Sequence, residues 1–86
     1  MAAALQVWSA TYSRAFDDLP APAQQAVQRA VDNMGSRLTD FPHQRLKGRS
    51  ESRLRVGNYR VIYEYDVQAG RIYLHYVGHR RDIYRR

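Results

Sequence analysis

The chain has no cysteine. That excludes a disulfide framework and any thiolate metal site, and it fits a reducing compartment. Lysine is nearly absent, with Lys47 alone among fourteen basic side chains. Long apolar runs are missing as well, since no stretch approaches the ~18–20 residues that span a bilayer. The opening MAAALQVW has no basic flank and too short an apolar run for a secretory leader. These absences point to a cytoplasmic chain with no membrane attachment. Three histidines without regular spacing offer no zinc pattern, and the five glycines form no phosphate-cradling loop. Ser9, Ser13, Ser36, Ser50 and Ser52 stand in no nucleophile-elbow context, which argues against a serine hydrolase. Neither metal nor cofactor is expected.

What is present is lopsided positive charge. The net charge is +6 over 86 residues, a length that fits one domain spanning residues 1–86. From Met1 to Pro42 there are three Arg against four Asp, whereas from His43 to Arg86 there are eleven basic against four acidic residues. Such asymmetry points to a polyanion or an acidic protein as partner. Arginine in place of lysine favours bidentate phosphate contacts and stacking on bases.

Local patterns give an element order. Leu5-Gln6-Val7-Trp8 alternates and reads as a strand. Ser9 or Thr11 caps a short helix over 12–19, and Leu19-Pro20-Ala21-Pro22 interrupts it. Pro22 suits the first turn of a second helix. In that helix Ala23, Val27, Ala30, Val31, Met34 and Leu38 recur at helical spacing as a core-facing stripe. Gly35 weakens its end and Pro42 stops it. Residues 43–52 read as a loop or an irregular edge. Arg53–Val56, Tyr59–Tyr65 and Arg71–Val77 read as strands joined by turns at Gly57-Asn58 and 66–70. Short turns impose antiparallel neighbours. The expected fold class is therefore α+β: a small antiparallel β-sheet, two N-terminal helices packed on one face, in the order β-α-α-β-β-β. Leu54, Val56, Val61 and Tyr63 should face the helices. Arg53, Arg55, Arg60, Ile62 and Glu64 should face away.

The closing stretch VGHRRDIYRR gathers a proton-transfer residue (His79), fixed cations (Arg80, Arg81, Arg85, Arg86) and a stacking or hydroxyl residue (Tyr84). RNA carries its own nucleophile, the 2′-hydroxyl. Cleaving it needs a base, an acid and cations around the phosphate, with no metal. His79 is the natural proton carrier, because only histidine ordinarily titrates near neutrality. Arg60 and Arg80 supply charge and Tyr84 stacks or donates. His75, inside a strand among aromatics, reads as a packed residue. His43 reads as a loop residue or a second proton-transfer group.

Two stretches, LKGRSESRLRVGNYRVIYEYD (Leu46 to Asp66) and VGHRRDIYR (Val77 to Arg85), carry a resemblance to the RelE/ParE superfamily of bacterial toxins from toxin–antitoxin systems. The resemblance implies the fold above. It also implies an endoribonuclease that cuts messenger RNA on the ribosome, restrained by a cognate antitoxin protein. Arg60 matches the phosphate-stabilising Arg of the family, and Arg80 the Arg after V-G-x. Tyr84 matches the terminal Tyr, and His79 stands where His-bearing members place a catalytic His. Lys47, Arg53, Arg55 and Arg81 would bind the RNA backbone. Arg53 and Arg55 lie where the founding member carries lysines, and an arginine does not serve as a base. The base is thus unassigned among His79, His43 and Glu51. ParE-like members share the fold but poison DNA gyrase, and that is the alternative.

Overall fold

The structure is a computed structural model that describes residues 3–82. Strand β1 (Leu5–Trp8) leads into helix α1 (Ala10–Asp17) and helix α2 (Ala21–Ser36). There follow β2 (Gln44–Arg45), β3 (Ser52–Val56), β4 (Tyr59–Asp66) and β5 (Arg71–His79). The expected β-α-α-β-β-β order is present, with the two-residue β2 at the sheet edge inside the segment read as a loop or an irregular edge. The sheet order is β1-β5-β4-β3-β2. The β2–β3, β3–β4 and β4–β5 pairs are antiparallel, as the short turns require, whereas β1 pairs parallel to β5. The antiparallel expectation rested on hairpin turns, and no hairpin joins β1 to β5.

Local chemistry accounts for the boundaries. Ser9 caps α1: its Oγ accepts from the Tyr12 N–H at 3.0 Å and donates to the His75 carbonyl at 3.0 Å. One hydroxyl therefore both starts the helix and ties it to β5. Gln24 Nε2 donates to the Phe16 carbonyl at the far end of α1. Pro22 lies in the first turn of α2, where its missing N–H costs nothing. Gly57 takes φ +58°, which suits the first central position of the tight β3–β4 hairpin.

Both helices cover one face of the sheet. Tyr12, Val27, Val31 and Met34 pack against Leu54, Val61, Tyr63, Ile72, Leu74 and Val77, all buried. The helical stripe and the inward strand positions are those expected from periodicity. The Tyr12 hydroxyl is buried with no hydrogen-bond partner among the described residues. Burial, with Asp32 adding, pushes its phenol above the usual tyrosine range. Removing an unpaired buried donor relieves a desolvation cost. Tyr12→Phe is expected to leave stability unchanged or raise it by about 1 kcal/mol, read from denaturant midpoints.

One irregularity matters for function. In β5 the inward residues are Ile72, Leu74 and Val77, a spacing of two and then three. The register passes from Tyr63↔Leu74 to Ile62↔Tyr76, which leaves His75 as the extra residue of a β-bulge. His75 and Tyr76 therefore follow one another on the side of the sheet away from the helices.

Candidate functional site

The face of the sheet turned from the helices carries the cations. Arg53 and Arg55 project from β3, and Arg55 is paired directly with Arg60 on β4. Like charges placed directly opposite each other destabilise a ladder unless an opposite charge meets them. Arg60 is not open to solvent, as the outward position suggests, but 7% exposed. Its Nη1 donates to the Gly57 and Tyr59 carbonyls, each at 2.9 Å, so the side chain braces the hairpin as well as charging it. On its other side Arg60 pairs with Gly78. The Tyr76 ring folds back over that glycine: an alanine methyl there would lie 2.9 Å from Tyr76 Cε2. Arg80 donates its N–H to the Asn58 carbonyl at 2.7 Å, which pins the start of the tail beside the same hairpin. Arg55, Arg60 and Arg80 are thus brought to one end of the sheet.

The other expected residues are distributed differently. His79 pairs with Tyr59, one position from Arg60, so its side chain emerges on the helix side. There it meets the Tyr59 ring edge-on, with centroids 5.8 Å apart. It lines a groove of about 560 Å³ with Arg14, Asp18, Leu19 and Asp82. Its Nδ1 accepts from the Arg81 N–H at 3.2 Å, so the neutral ring presents Nε2–H as a donor. Arg81 is exposed beside it. Lys47 lies in the turn between β2 and β3, with Arg45 and Arg49 around a shallow groove of about 490 Å³. Arg53 reaches Gln44 Oε1 at 3.4 Å. Tyr84 lies outside the described residues. Among the described residues no three His, Asp or Glu side chains are grouped to hold a metal ion. No helix there is long and apolar enough to cross a membrane.

His43 is a structural residue rather than an open loop side chain. Its Nε2 donates to the Leu38 carbonyl at 2.8 Å, and Nδ1 accepts from the Tyr63 hydroxyl at 2.6 Å. The ring stacks on Tyr65 with centroids 3.7 Å apart. Both nitrogens are therefore engaged in joining the end of α2 to the sheet.

Sequence reasoning passed over a second group on the cationic face. His75, read as packed, is 38% exposed at its side chain, and its Nε2 donates to Glu64 Oε2 at 2.8 Å. Beside it lies a depression of about 330 Å³ lined by Ser9, Thr11, Arg49, Glu51, Ile62 and Tyr76. The signal was legible: alternation with the inward Ile72 and Leu74 turns His75 outward, and the slip to Val77 marks a bulge that keeps Tyr76 on the same face.

Relatives of the chain agree with this architecture. In solved structures it is similar to a chain of the RelBE2 toxin–antitoxin complex from Mycobacterium tuberculosis, with TM-score 0.75 and 20% identity over 92% of this chain and 93% of that one. It is similar to the isolated RelE toxin of E. coli, with TM-score 0.76 and 11% identity over 90% and 84%. It is also similar to a chain of the archaeal RelE–RelB complex from Pyrococcus horikoshii, with TM-score 0.74 and 20% identity over 92% and 97%. At these identities the likeness speaks for the fold. No curated protein matches the chain. The family model described as "ParE toxin of type II toxin-antitoxin system, parDE" matches residues 4–84, nearly the whole chain. The helix-covered sheet is thus the fold of known toxins, and the chain belongs to the ParE toxin family of type II toxin–antitoxin systems, within the RelE/ParE superfamily.

Proposed function

We propose that this toxin is a metal-independent endoribonuclease that cuts messenger RNA on the ribosome by attack of a 2′-hydroxyl on the adjacent phosphate. The observation that carries this reading is the pairing of Arg55 with Arg60 on the sheet face away from the helices, with the backbone of Arg80 pinned to the same hairpin. Guanidinium groups there would hold the scissile phosphate and offset the charge of the transition state. Arg53, Lys47 and Arg81 would follow the RNA backbone on either side. His79 leaves the sheet on the side opposite Arg60, so the RNA would have to wrap the end of β5 for its Nε2–H to protonate the leaving 5′ oxygen, and Tyr84 would stack on a splayed base. A small antitoxin protein would restrain it, as the RelBE complexes of its structural relatives suggest. An acidic segment laid over the basic face would block the RNA.

The test adds purified toxin to ribosomes holding a defined message and maps the message ends by primer extension. A new cut in wild type, weakened by His79→Ala and Arg60→Ala, is expected. The loss for His79→Ala should be on the order of 10²–10⁴-fold. An intact message with folded toxin would sink the nuclease reading.

The second reading is a gyrase poison, favoured by the ParE description of the matching family model. It predicts a DNA damage response in induced cells without translation arrest, and stabilised gyrase cleavage complexes in vitro.

A further inference from the structure

The nuclease reading leaves the base unassigned. Arginines do not accept the proton, His43 has both ring nitrogens engaged, and His79 already accepts a chain N–H at Nδ1. We propose that His75 is the proton acceptor of the reaction and that Glu64 is its positioning residue. This rests on the nuclease reading and adds the group that activates the nucleophile.

Three independent observations carry it. His75 alternates with the inward Ile72 and Leu74 and so lies on the face that bears Arg53, Arg55 and Arg60, and the bulge that follows keeps Tyr76 on that face beside it. The Glu64 carboxylate accepts from Nε2–H, which fixes the tautomer with Nδ1 unprotonated. No bond to Nδ1 is formed among the described residues, so the atom that would take a proton is the open one. A carboxylate, an imidazole and a free second nitrogen are the arrangement that orients a base and stabilises the imidazolium once it forms. Finally, the imidazole borders a depression with Arg49 and Glu51 from the segment before β3 and Tyr76 from β5. Arg53 stands across the sheet, paired with Ile62 on its floor. Glu64, Glu51, Arg49, Arg53 and Tyr76 are the titratable and charged groups that face or border this site, and Ser9 and Thr11 close it from the start of α1.

The step balances without any added reagent. The 2′ oxygen forms a bond to phosphorus while its proton passes to His75 Nδ1. The bond from phosphorus to the 5′ oxygen breaks, and that oxygen takes a proton from His79 or water. The products are a 2′,3′-cyclic phosphate and a 5′-hydroxyl. His75 then returns its proton to solvent.

The test uses wild type, His75→Asn, Glu64→Gln and His79→Ala on programmed ribosomes, with rates measured from about pH 5 to 8, the range in which histidine ordinarily titrates. Asparagine fills part of the imidazole's space and accepts no proton. His75→Asn is expected to lose on the order of 10²-fold or more while melting within a few degrees of wild type. Glu64→Gln is expected to retain part of the rate, with the loss in kcat and not in KM, because glutamine still accepts from Nε2–H but offers no charge to offset the imidazolium formed in the reaction. Wild-type cleavage with undiminished His75→Asn cleavage, or an undiminished kcat in Glu64→Gln, overturns this inference and leaves the nuclease reading standing. No wild-type cut overturns both.

Discussion

Replacing Arg53, Arg55 and Arg80 together by glutamine weakens binding of a 2′-O-methyl oligoribonucleotide, which is not cut, on the order of 10²-fold near 0.15 M salt. Neutralised phosphates release counterions, and for single strands each contributes about −0.7 to the slope of log affinity against log salt. Losing three contacts should flatten that slope by about 2. The control neutralises the exposed Arg14, Arg29 and Arg37 on and just beyond the helices, the same change in net charge. If the control loses as much affinity and slope, the sheet face is not where RNA lies. Arg60 is left in place because it also bonds the Gly57 and Tyr59 carbonyls. Its removal would strip two acceptors of their partner and confuse binding with stability.

Tyr63→Ala is expected to cost about 3–5 kcal/mol, the range for deleting a buried aromatic ring. Tyr63 is fully buried in the core and carries the hydroxyl that donates to His43. For a domain stabilised by about 5–15 kcal/mol this is a large fraction. At roughly 4–8 °C per kcal/mol, melting should fall by about 12–40 °C. Tyr63→Phe keeps the ring and loses only the bond, at about 1 kcal/mol. The phenol has a second consequence. Burial, with Tyr65 adding, pushes its ionisation well above the usual tyrosine range. The folded state then resists losing a proton that the unfolded chain releases. The stability this group contributes is whole below the unfolded value near 10 and is lost as pH rises beyond it. Thermal melts from pH 8 to 11 should show a steep alkaline decline in wild type and a shallower one in Tyr63→Phe. An equal decline in both would remove Tyr63 as its source.

The periodic parts of the fold were legible. Val27, Val31 and Met34 repeat at helical spacing, and Leu54, Val61 and Tyr63 alternate along strands, so burial followed pattern. The parallel β1–β5 pair was not legible, because no turn joins the two strands and their pairing is set by how the helices fold back. The two-residue β2 is too short to show a period. The site was partly legible. Residue type marked Arg60, Arg80 and His79, but a simple alternation did not show that His79 and Arg60 leave the sheet on opposite sides. His75 was read as packed from its aromatic neighbours, whereas alternation with the inward Ile72 and Leu74 turns it outward. Arg60 was placed on the right face but expected in the open, since sequence does not show a guanidinium turning back onto its own hairpin.

The parallel seam between β1 and β5 also governs the order of assembly. The Ser9–His75 bond that borders it spans 66 positions, whereas β3, β4 and β5 meet through short turns. Loop closure must be completed before so distant a contact stabilises anything. The three-stranded meander is therefore the early unit and β1 the late arrival. Until β1 docks, the outer edge of β5 offers unpaired N–H and C=O groups to any passing strand. Refolding at high concentration should accordingly meet its hazard at that edge, and a ligand that holds β1 in place would act as a folding aid as much as an inhibitor.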